Sequence, residues 1–324
     1  MLSLHEVASV VEGSNAVEAL RDVTTVAQAA EAAGLSRLWL AEHHGMAGVA
    51  SSAPAVLIAH LAAHTQRIRV GSGGVMLPNH SPYVIAEQFG TLEALHPGRI
   101  DLGIGRAPGS DQRTMQAVGR HNPHHFTDDL MELVSYFLGT APVLAMPGKG
   151  LLPELWLLGS STYSAQVAGA LGISYSFAYH FAPELLDQAV QIYRDSFRPS
   201  GVLDVPHVMV AATVICAEDA AKARFIAGPA RLSTLFIRQG RPAQLLSPEA
   251  ADAFELSDHE RVACDRFSAN HIVGSPDEVA SGIADLVART QADEIMLSTR
   301  IHGVADRVAS ISLTAQAWER YQQA

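Results

Sequence analysis

Three adjacent polar residues, Glu42, His43 and His44, follow a short apolar run and could carry acid-base chemistry. A histidine with a pKa near neutrality can donate to an oxyanion and also take up a proton. Consecutive strand side chains point to opposite faces, and the H-E-x-x-H spacing is missing, so no metal site is expected here. The structural alternative stays open: one histidine hydrogen-bonds inside the fold and the other is solvated.

Glycine-rich segments follow the next two apolar runs. Gly71-Ser72-Gly73-Gly74 follows one run, and Gly103 to Gly109 (GIGRAPG) surrounds Arg106 after the other. Glycine lets a backbone approach a flat ligand closely, although an ordinary turn also explains it. Arg106 offers a planar fork that suits phosphate, whereas a lone loop arginine is often only solvated.

A serine-rich segment, GSSTYS from Gly159 to Ser164, opens a helix pattern. Its hydroxyls at Ser160, Ser161 and Ser164, together with free helix amides, would suit an anion, although simple helix capping is the commoner role. The loop of Arg106 precedes this segment in a strand-helix repeat, and adjacent loops can share one phosphate. Together the two segments favour an anion site.

The elements that must position these groups are short apolar strands that alternate with helical patterns. We predict eight strands, at residues 2–4, 37–41, 68–70, 100–103, 154–158, 174–178, 207–215 and 294–298. This alternation predicts a single α/β domain over residues 1–324, a TIM barrel with its chemistry on the loops after the strands. Residues 240–270 break the pattern and are interpreted as a lid-like insertion. A doubly wound sheet is the runner-up, but G-x-G-x-x-G does not follow the first strand.

The composition narrows the class of partner. Apolar residues make up 48% of the 324 residues, and the net charge of -11 without a Lys/Arg cluster argues against nucleic acid or an anionic membrane. Small organic molecules are the expected ligands. Cys216 and Cys264 fit neither a metal site nor a disulfide scaffold. Without a basic leader or about 18 consecutive apolar residues, we expect a soluble cytoplasmic protein.

Three segments, in this order, carry a family resemblance: WLAEHHG (39–45), GSGGVMLP (71–78) and HPGRIDLGIGRAPG (96–109). The chain resembles the bacterial luciferase-like flavin-dependent monooxygenases, and looks most like the subgroup with actinobacterial polyketide-tailoring oxygenases. The resemblance implies a TIM barrel and a homodimer. It also implies reduced FMN from a separate flavin reductase, and O2 that forms a flavin C4a-peroxide. One oxygen atom would then hydroxylate or epoxidise a small organic substrate, with aromatic polyketides as a candidate class.

The resemblance also assigns roles to individual residues. His43 matches the acid-base histidine beside the flavin, with His44 as its neighbour, and Glu42 is placed with the cofactor. Gly73-Gly74 matches a non-prolyl cis peptide beneath the isoalloxazine. The flavin-phosphate site is matched by Arg106, Ser160, Ser161 and Ser164.

Two positions depart from the family, and two alternatives remain. Gly105 stands where luciferase α subunits carry a cysteine, which suggests a roomier site for a bulkier substrate, and Ser160 replaces an acidic residue. One alternative is an oxidoreductase that uses coenzyme F420 or flavin without oxygen insertion. The other is a non-catalytic flavin-binding subunit that stabilises an active partner.

Overall fold

Parallel strands form the centre of the molecule in a computed structural model, which describes residues 1–107, 112–118, 123–241 and 243–323. Over these residues the strands are β1 Leu2–Glu6, β2 Arg37–Leu40, β3 Arg69–Met76, β4 Ile100–Gly105, β5 Glu154–Gly159, β6 Ser174–Ala178, β7 Val208–Cys216, β8 Ile272–Gly274 and β9 Glu294–Ser298.

Eight of these strands close into a ring. Following hydrogen bonds from strand to strand, the order is β6, β5, β4, β3, β2, β1, β9 and β7, and a β6–β7 pairing completes the circle. Every pairing is parallel. The predicted TIM barrel is therefore confirmed, and the open doubly wound sheet is wrong.

Helices connect the strands and surround the barrel. They are α1 Ala16–Ala32, α2 Pro54–His64, α3 Pro82–Leu95, α4 Gln112–Val118, α5 Phe126–Leu138, α6 Thr162–Leu171, α7 Leu186–Ser196, α8 Ala220–Arg238, α9 Pro248–Asp252, α10 Asp258–Ser268, α11 Pro276–Thr290 and α12 Val304–Gln323. Local sequence sets several of their starts. The Asn15 side chain accepts hydrogen bonds from the amides of Val17 and Glu18, and Ser275 and Glu278 form a capping box. No helix in the described ranges has the length and apolar character needed to span a membrane.

The segment predicted as an insertion, residues 240–270, holds two helices, α9 and α10. The strand after it, β8, was missed in the sequence because it has three residues. It pairs with the end of β7 outside the barrel, where Val214 opposes Ile272. Leu245 is buried and joins the segment to the loop after β1: its amide donates to Val10 O at 3.2 Å, and its carbonyl accepts from the Glu12 amide at 2.8 Å. Both free cysteines are buried.

A charged network fills the amino-terminal end of the barrel. Arg37 at the start of β2 donates to Asp101 at 2.9 Å, to Glu154 at 3.0 Å and to Glu294 at 3.0 Å. Asp101 also accepts from the Trp39 indole at 2.8 Å and binds Arg69. Above this layer a buried hydrophobic cluster fills the interior. It consists of Trp39, Trp156, Met209, Ala211 and Met296. These ion pairs stabilise the amino-terminal end of the barrel. The active sites of TIM barrels lie at the opposite, carboxyl end of the strands.

The extent of β3 differs from the prediction. The predicted strand stopped at Val70, whereas β3 continues through the glycines to Met76. These glycines serve close packing of two strands rather than a turn, since a Cβ on Gly74 would lie 2.8 Å from the carbonyl oxygen of Gly103 in β4. The register shifts between Ser72 and Val75 along the same strand pair.

Candidate active site

Glu42 is buried at the end of β2 and organises two histidines. Its Oε1 lies 2.7 Å from His44 Nε2 and 2.7 Å from His80 Nε2, and its Oε2 accepts from the Met76 amide at 3.1 Å. Burial opposes ionisation, but the hydrogen bonds from His80 and His44 outweigh it and lower the pKa of Glu42. A charged, fully enclosed carboxylate therefore fixes both imidazole rings.

His80 was missed in the sequence. It follows β3 through a short 3-10 turn, Leu77–Asn79, and contacts Glu42 in the loop after the neighbouring strand β2. The sequence signal that could have identified His80 is its position shortly after a strand. Glu42, His44 and His80 offer ligand atoms within 4.8 Å of one another, a grouping that local spacing around residues 42–44 did not predict. Since both Nε2 atoms face one carboxylate oxygen at hydrogen-bond distance, the contacts are explained by a satisfied buried carboxylate, and the expectation of no metal stays a prediction.

His43 interacts with a second group of histidines. Its backbone amide donates to Ser51 O at 2.9 Å, while its side chain interacts electrostatically with His5 and His180. His5 stands in β1, and His180 follows β6, with 6.0 Å between their ring centres. Neither was identified in the sequence, although each lies at the carboxyl end of a strand. Adjacent positions 43 and 44 therefore interact with two different groups.

A cis peptide bond joins Gly73 and Gly74, as the resemblance implies. The Gly73 carbonyl oxygen lies 3.1 Å from His5 Nε2, which must carry the proton because a carbonyl only accepts. A Cβ on Gly73 would stand 3.0 Å from His5 and 3.0 Å from Trp39. This peptide therefore lies beside the histidine cluster, and its place beneath a flavin stays a prediction.

Arg106 and the serine segment meet on the other side of the mouth. The Arg106 guanidinium carbon lies 4.2 Å from the centre of the Tyr163 ring, in the first turn of α6. Ser161 is the N-cap residue of α6, but its side chain makes no capping bond to the helix. Ser164 is buried, and its hydroxyl donates to Ser161 O at 3.3 Å. Capping therefore does not explain Ser161.

The remaining predicted positions lie close to these groups. Ser160 is half-buried between β5 and α6. Gly105 ends β4, where an added Cβ would meet Met76 Sδ at 3.4 Å, so the position has room for one carbon. Gly109 lies outside the described residues. A roomier substrate site at Gly105 stays a prediction.

Burial keeps the central histidines neutral. Burial, with help from His180, lowers the pKa of His5 to about 3. Burial also lowers the pKa of His180, and it lowers the pKa of His271, before β8, to about 4. At neutral pH these rings therefore act as uncharged hydrogen-bonding groups.

A sequence model of one family, luciferase-like monooxygenase, matches residues 2–294 of the chain. The chain belongs to the luciferase-like monooxygenase family. As a member, it is an oxygen-using, flavin-dependent enzyme.

Relatives of the luciferase-like chain cover almost its whole length. It is 45% identical to a luciferase-like monooxygenase of Escherichia coli strain K12, over 98% of this chain and 96% of the relative. It is 33% identical to the N-acetyl-S-alkylcysteine monooxygenase of Bacillus subtilis strain 168, over 98% and 97%. The crystal structure of apo-MsnO8 superposes with a TM-score of 0.92 at 35% identity, covering 98% of both chains.

Two more distant structures share the fold of this luciferase-like monooxygenase and differ in cofactor. The oxygenating constituent of 3,6-diketocamphane monooxygenase from Pseudomonas putida, in complex with FMN, has a TM-score of 0.74 at 18% identity, over 97% and 96%. The coenzyme F420 dependent tetrahydromethanopterin reductase of Methanopyrus kandleri has a TM-score of 0.71 at 17% identity, over 98% of both chains. The same fold therefore occurs in one structure that binds FMN and in another enzyme that depends on coenzyme F420.

Proposed function

We propose that the chain is the oxygenating component of a two-component FMN monooxygenase. Substrate, O2 and reduced FMN from a separate reductase would give oxygenated substrate, water and oxidised FMN. The observation that carries this proposal is the meeting of Arg106 with the uncapped amino-terminal turn of α6. A guanidinium and free helix amides together suit a phosphate monoester such as that of FMN.

The described residues fit FMN in three places. Ser160, Ser161 and Ser164 would add hydroxyls to the phosphate group at Arg106. Gly73-Gly74 presents a backbone without Cβ atoms for a flat ring. Bound there in its reduced form, FMN would supply the electrons that activate O2, and the protein would supply orientation and protons.

The histidines would manage protons at the reacting atoms. His43 lies with the neutral pair His5 and His180, where it can donate a hydrogen bond to a developing negative charge and later take up a proton. His44 touches Glu42, which fixes its ring, so His44 acts as an orienting neighbour. Glu42 uses both oxygens on its histidines and the Met76 amide, and its part towards the cofactor would be indirect.

Residues 240–270 would cover the mouth and exclude water from the reaction. Leu245 anchors this segment to the loop after β1, and Asn270 at its end donates to Tyr179 O at 2.8 Å. Tyr179 directly precedes His180. These hydrogen bonds join the segment to two loops that border the histidine cluster, which supports the proposed role as a cover over the barrel mouth.

For the substrate, a small thioether acid is supported by the N-acetyl-S-alkylcysteine monooxygenase that shares 33% identity over the full chain. Hydroxylation or epoxidation of an aromatic polyketide, a homodimer and a cytoplasmic location rest on the family resemblance and composition alone. F420-dependent hydride transfer is the alternative that shares the barrel.

The test is anaerobic titration of the purified protein with reduced FMN and, separately, with reduced F420, followed by rapid mixing with oxygenated buffer. We expect reduced FMN to bind, and oxygen to give an absorbance transient that decays to oxidised flavin. Binding of FMN without an oxygen-dependent transient would indicate a non-catalytic or dehydrogenase role. Selective binding of F420 would contradict the monooxygenase proposal.

A further inference from the structure

Arg300 stands just after β9, at the carboxyl end of the barrel, and was not identified in the sequence. Within the described part of the chain its guanidinium forms no hydrogen bond or ion pair, and its Nε is buried without a partner. Burial lowers the pKa of Arg300 to about 10, so the group remains charged at neutral pH. Arg300 is half-buried, and a guanidinium with a buried N–H that has no partner among the described residues gains free energy when an anionic ligand pairs with it.

The nearest carboxylate does not neutralise it. Glu6 acts on Arg300 electrostatically, but its Oε2 accepts from Arg307 at 3.1 Å. Its Oε1 accepts from the amides of Val7 and Ala8 at 2.9 and 2.8 Å. The half-buried Arg300 and the buried Arg307 therefore share one carboxylate whose oxygens already accept hydrogen bonds. The group Glu6, Arg300 and Arg307 retains one positive charge.

The histidines around Arg300 add acceptors and no charge. His5 and His180 donate from Nε2 and Nδ1 to the carbonyls of Gly73 and Ala211, so their other ring nitrogens carry lone pairs. The His5 Nδ1 is buried without a partner among the described residues, as are both ring nitrogens of His271. The positive charge of Arg300 contributes to lowering the pKa of all three histidines. The cluster thus offers one cation beside lone pairs that suit an N–H or O–H donor.

This cluster is separate from the phosphate group around Arg106. In the barrel order, β9 is four strands from β4, and β1 is four strands from β5. Arg106 and the serine segment follow β4 and β5, whereas Arg300 and His5 belong to β9 and β1. Gly73-Gly74 in β3 touches His5. A ligand on Arg300 would therefore face the flavin ring from the side opposite its phosphate.

We infer that Arg300, with His5 and His180, is a substrate subsite for a small organic acid whose carboxylate pairs with Arg300 and whose adjacent N–H or O–H donates to an imidazole nitrogen. The inference deepens the proposed monooxygenase function by naming the substrate class. An N-acylated amino acid has both groups, which agrees with the substrate class of the 33% identical N-acetyl-S-alkylcysteine monooxygenase of Bacillus subtilis.

The test measures binding by isothermal titration calorimetry to the protein with and without oxidised FMN. The probes are N-acetyl-S-benzylcysteine, its primary carboxamide, which lacks the charge, and 3-(benzylthio)propanoate, which lacks the N–H. A charge-assisted hydrogen bond contributes about 1.5–3 kcal/mol, so the acid should bind about 10- to 150-fold more tightly than the carboxamide. A neutral hydrogen bond contributes less, so the propanoate should bind about 3- to 10-fold more weakly than the N-acetyl acid.

Arg300→Met should remove the preference for the acid over the carboxamide, and Arg300→Lys should retain part of it because the charge remains. Arg21→Met, at an exposed arginine of α1, is the matched control and should bind all three probes as the unmodified protein does. Thermal unfolding of each variant checks that it is folded. The FMN dissociation constant should change less than about 3-fold in Arg300→Lys, since phosphate contacts lie elsewhere.

Equal binding of acid and carboxamide, or no binding of the acid to the folded protein, would overturn the inference. A parallel loss of FMN affinity in both Arg300 variants would assign Arg300 to the cofactor instead. Acid binding by a protein that fails to bind reduced FMN in the anaerobic titration would refute the proposed function and leave the acid subsite standing. Binding of FMN without binding of the acid would overturn the acid subsite and leave the proposed function standing.

Discussion

The guanidinium carbon of Arg106 lies 4.2 Å from the centre of the Tyr163 ring, which joins the end of β4 to the first turn of α6. The ring holds the arginine beside the first amides of α6, to which the side chain of the N-cap residue Ser161 makes no hydrogen bond. The Tyr163 hydroxyl in turn lies 2.9 Å from the Thr127 hydroxyl of α5. Three elements therefore fix one cation at the proposed phosphate position.

Arg106→Ala should weaken FMN binding by about 10- to 150-fold, because a charge-assisted phosphate contact contributes about 1.5–3 kcal/mol. The FMN affinity of Arg106→Lys should lie between those of the unmodified protein and Arg106→Ala, since lysine keeps the charge but lacks the planar fork of the guanidinium. Fluorescence titration of FMN measures the dissociation constants. Arg21→Ala on α1 is the control, and equal affinities for all variants would remove Arg106 from the phosphate site.

His43→Ala should raise the rate at which hydrogen peroxide is released after reduced FMN and protein are mixed with oxygen. Acid-base groups contribute about 10²-fold or more to proton transfer, so an increase of at least about 10-fold is expected. His60→Ala removes an exposed histidine of α2 and should leave the rate unchanged. A peroxide rate in His43→Ala equal to that of the control would refute the assignment of His43.

Stability should decline as the pH falls below about 6.5, because His5, His180 and His271 have lowered pKa values in the folded protein. Between about pH 6.5 and the folded pKa values, the unfolded chain binds more protons. The free energy of unfolding therefore falls by up to about 1.4 kcal/mol per pH unit for each histidine.

Urea unfolding at pH 7, 6 and 5 measures this slope. His271→Asn should make it shallower by about one proton, while His60→Asn should not change it. A free energy of unfolding that is constant over this pH range would show that the three rings are not neutral in the folded protein.

Arg37→Met should destabilise the fold by about 3–5 kcal/mol, because Asp101 and Glu294 would remain buried without their main partner. Arg289→Met breaks an exposed pair with Asp187 at 2.7 Å and should cost about 0–1 kcal/mol. Denaturant unfolding compares the two. Similar losses for both variants would contradict the role given to the buried network.

The sequence alone determined the architecture and part of the site. The alternation of apolar runs and helical patterns depends on local spacing, so the eight barrel strands were predictable. The Gly73-Gly74 pair, Arg106 and the serine segment could be predicted as site positions because each belongs to a distinctive short motif within or just after a strand. The three-residue strand β8 was too short for any periodic signal, and the glycines of β3 look like a turn until β4 is packed against them.

The contacts between residues that are distant in sequence were decided only by the tertiary structure. Glu42 and His80 lie 38 residues apart, and Arg307 reaches Glu6 across 301 residues. Nothing in local spacing links such residues, since their distance depends on the closure of the ring and the order of its strands. Likewise, the Nε of Arg300 has no partner among the described residues because of how distant elements pack around it. A sequence shows which side chains follow strands, and the closed barrel decides which of them meet.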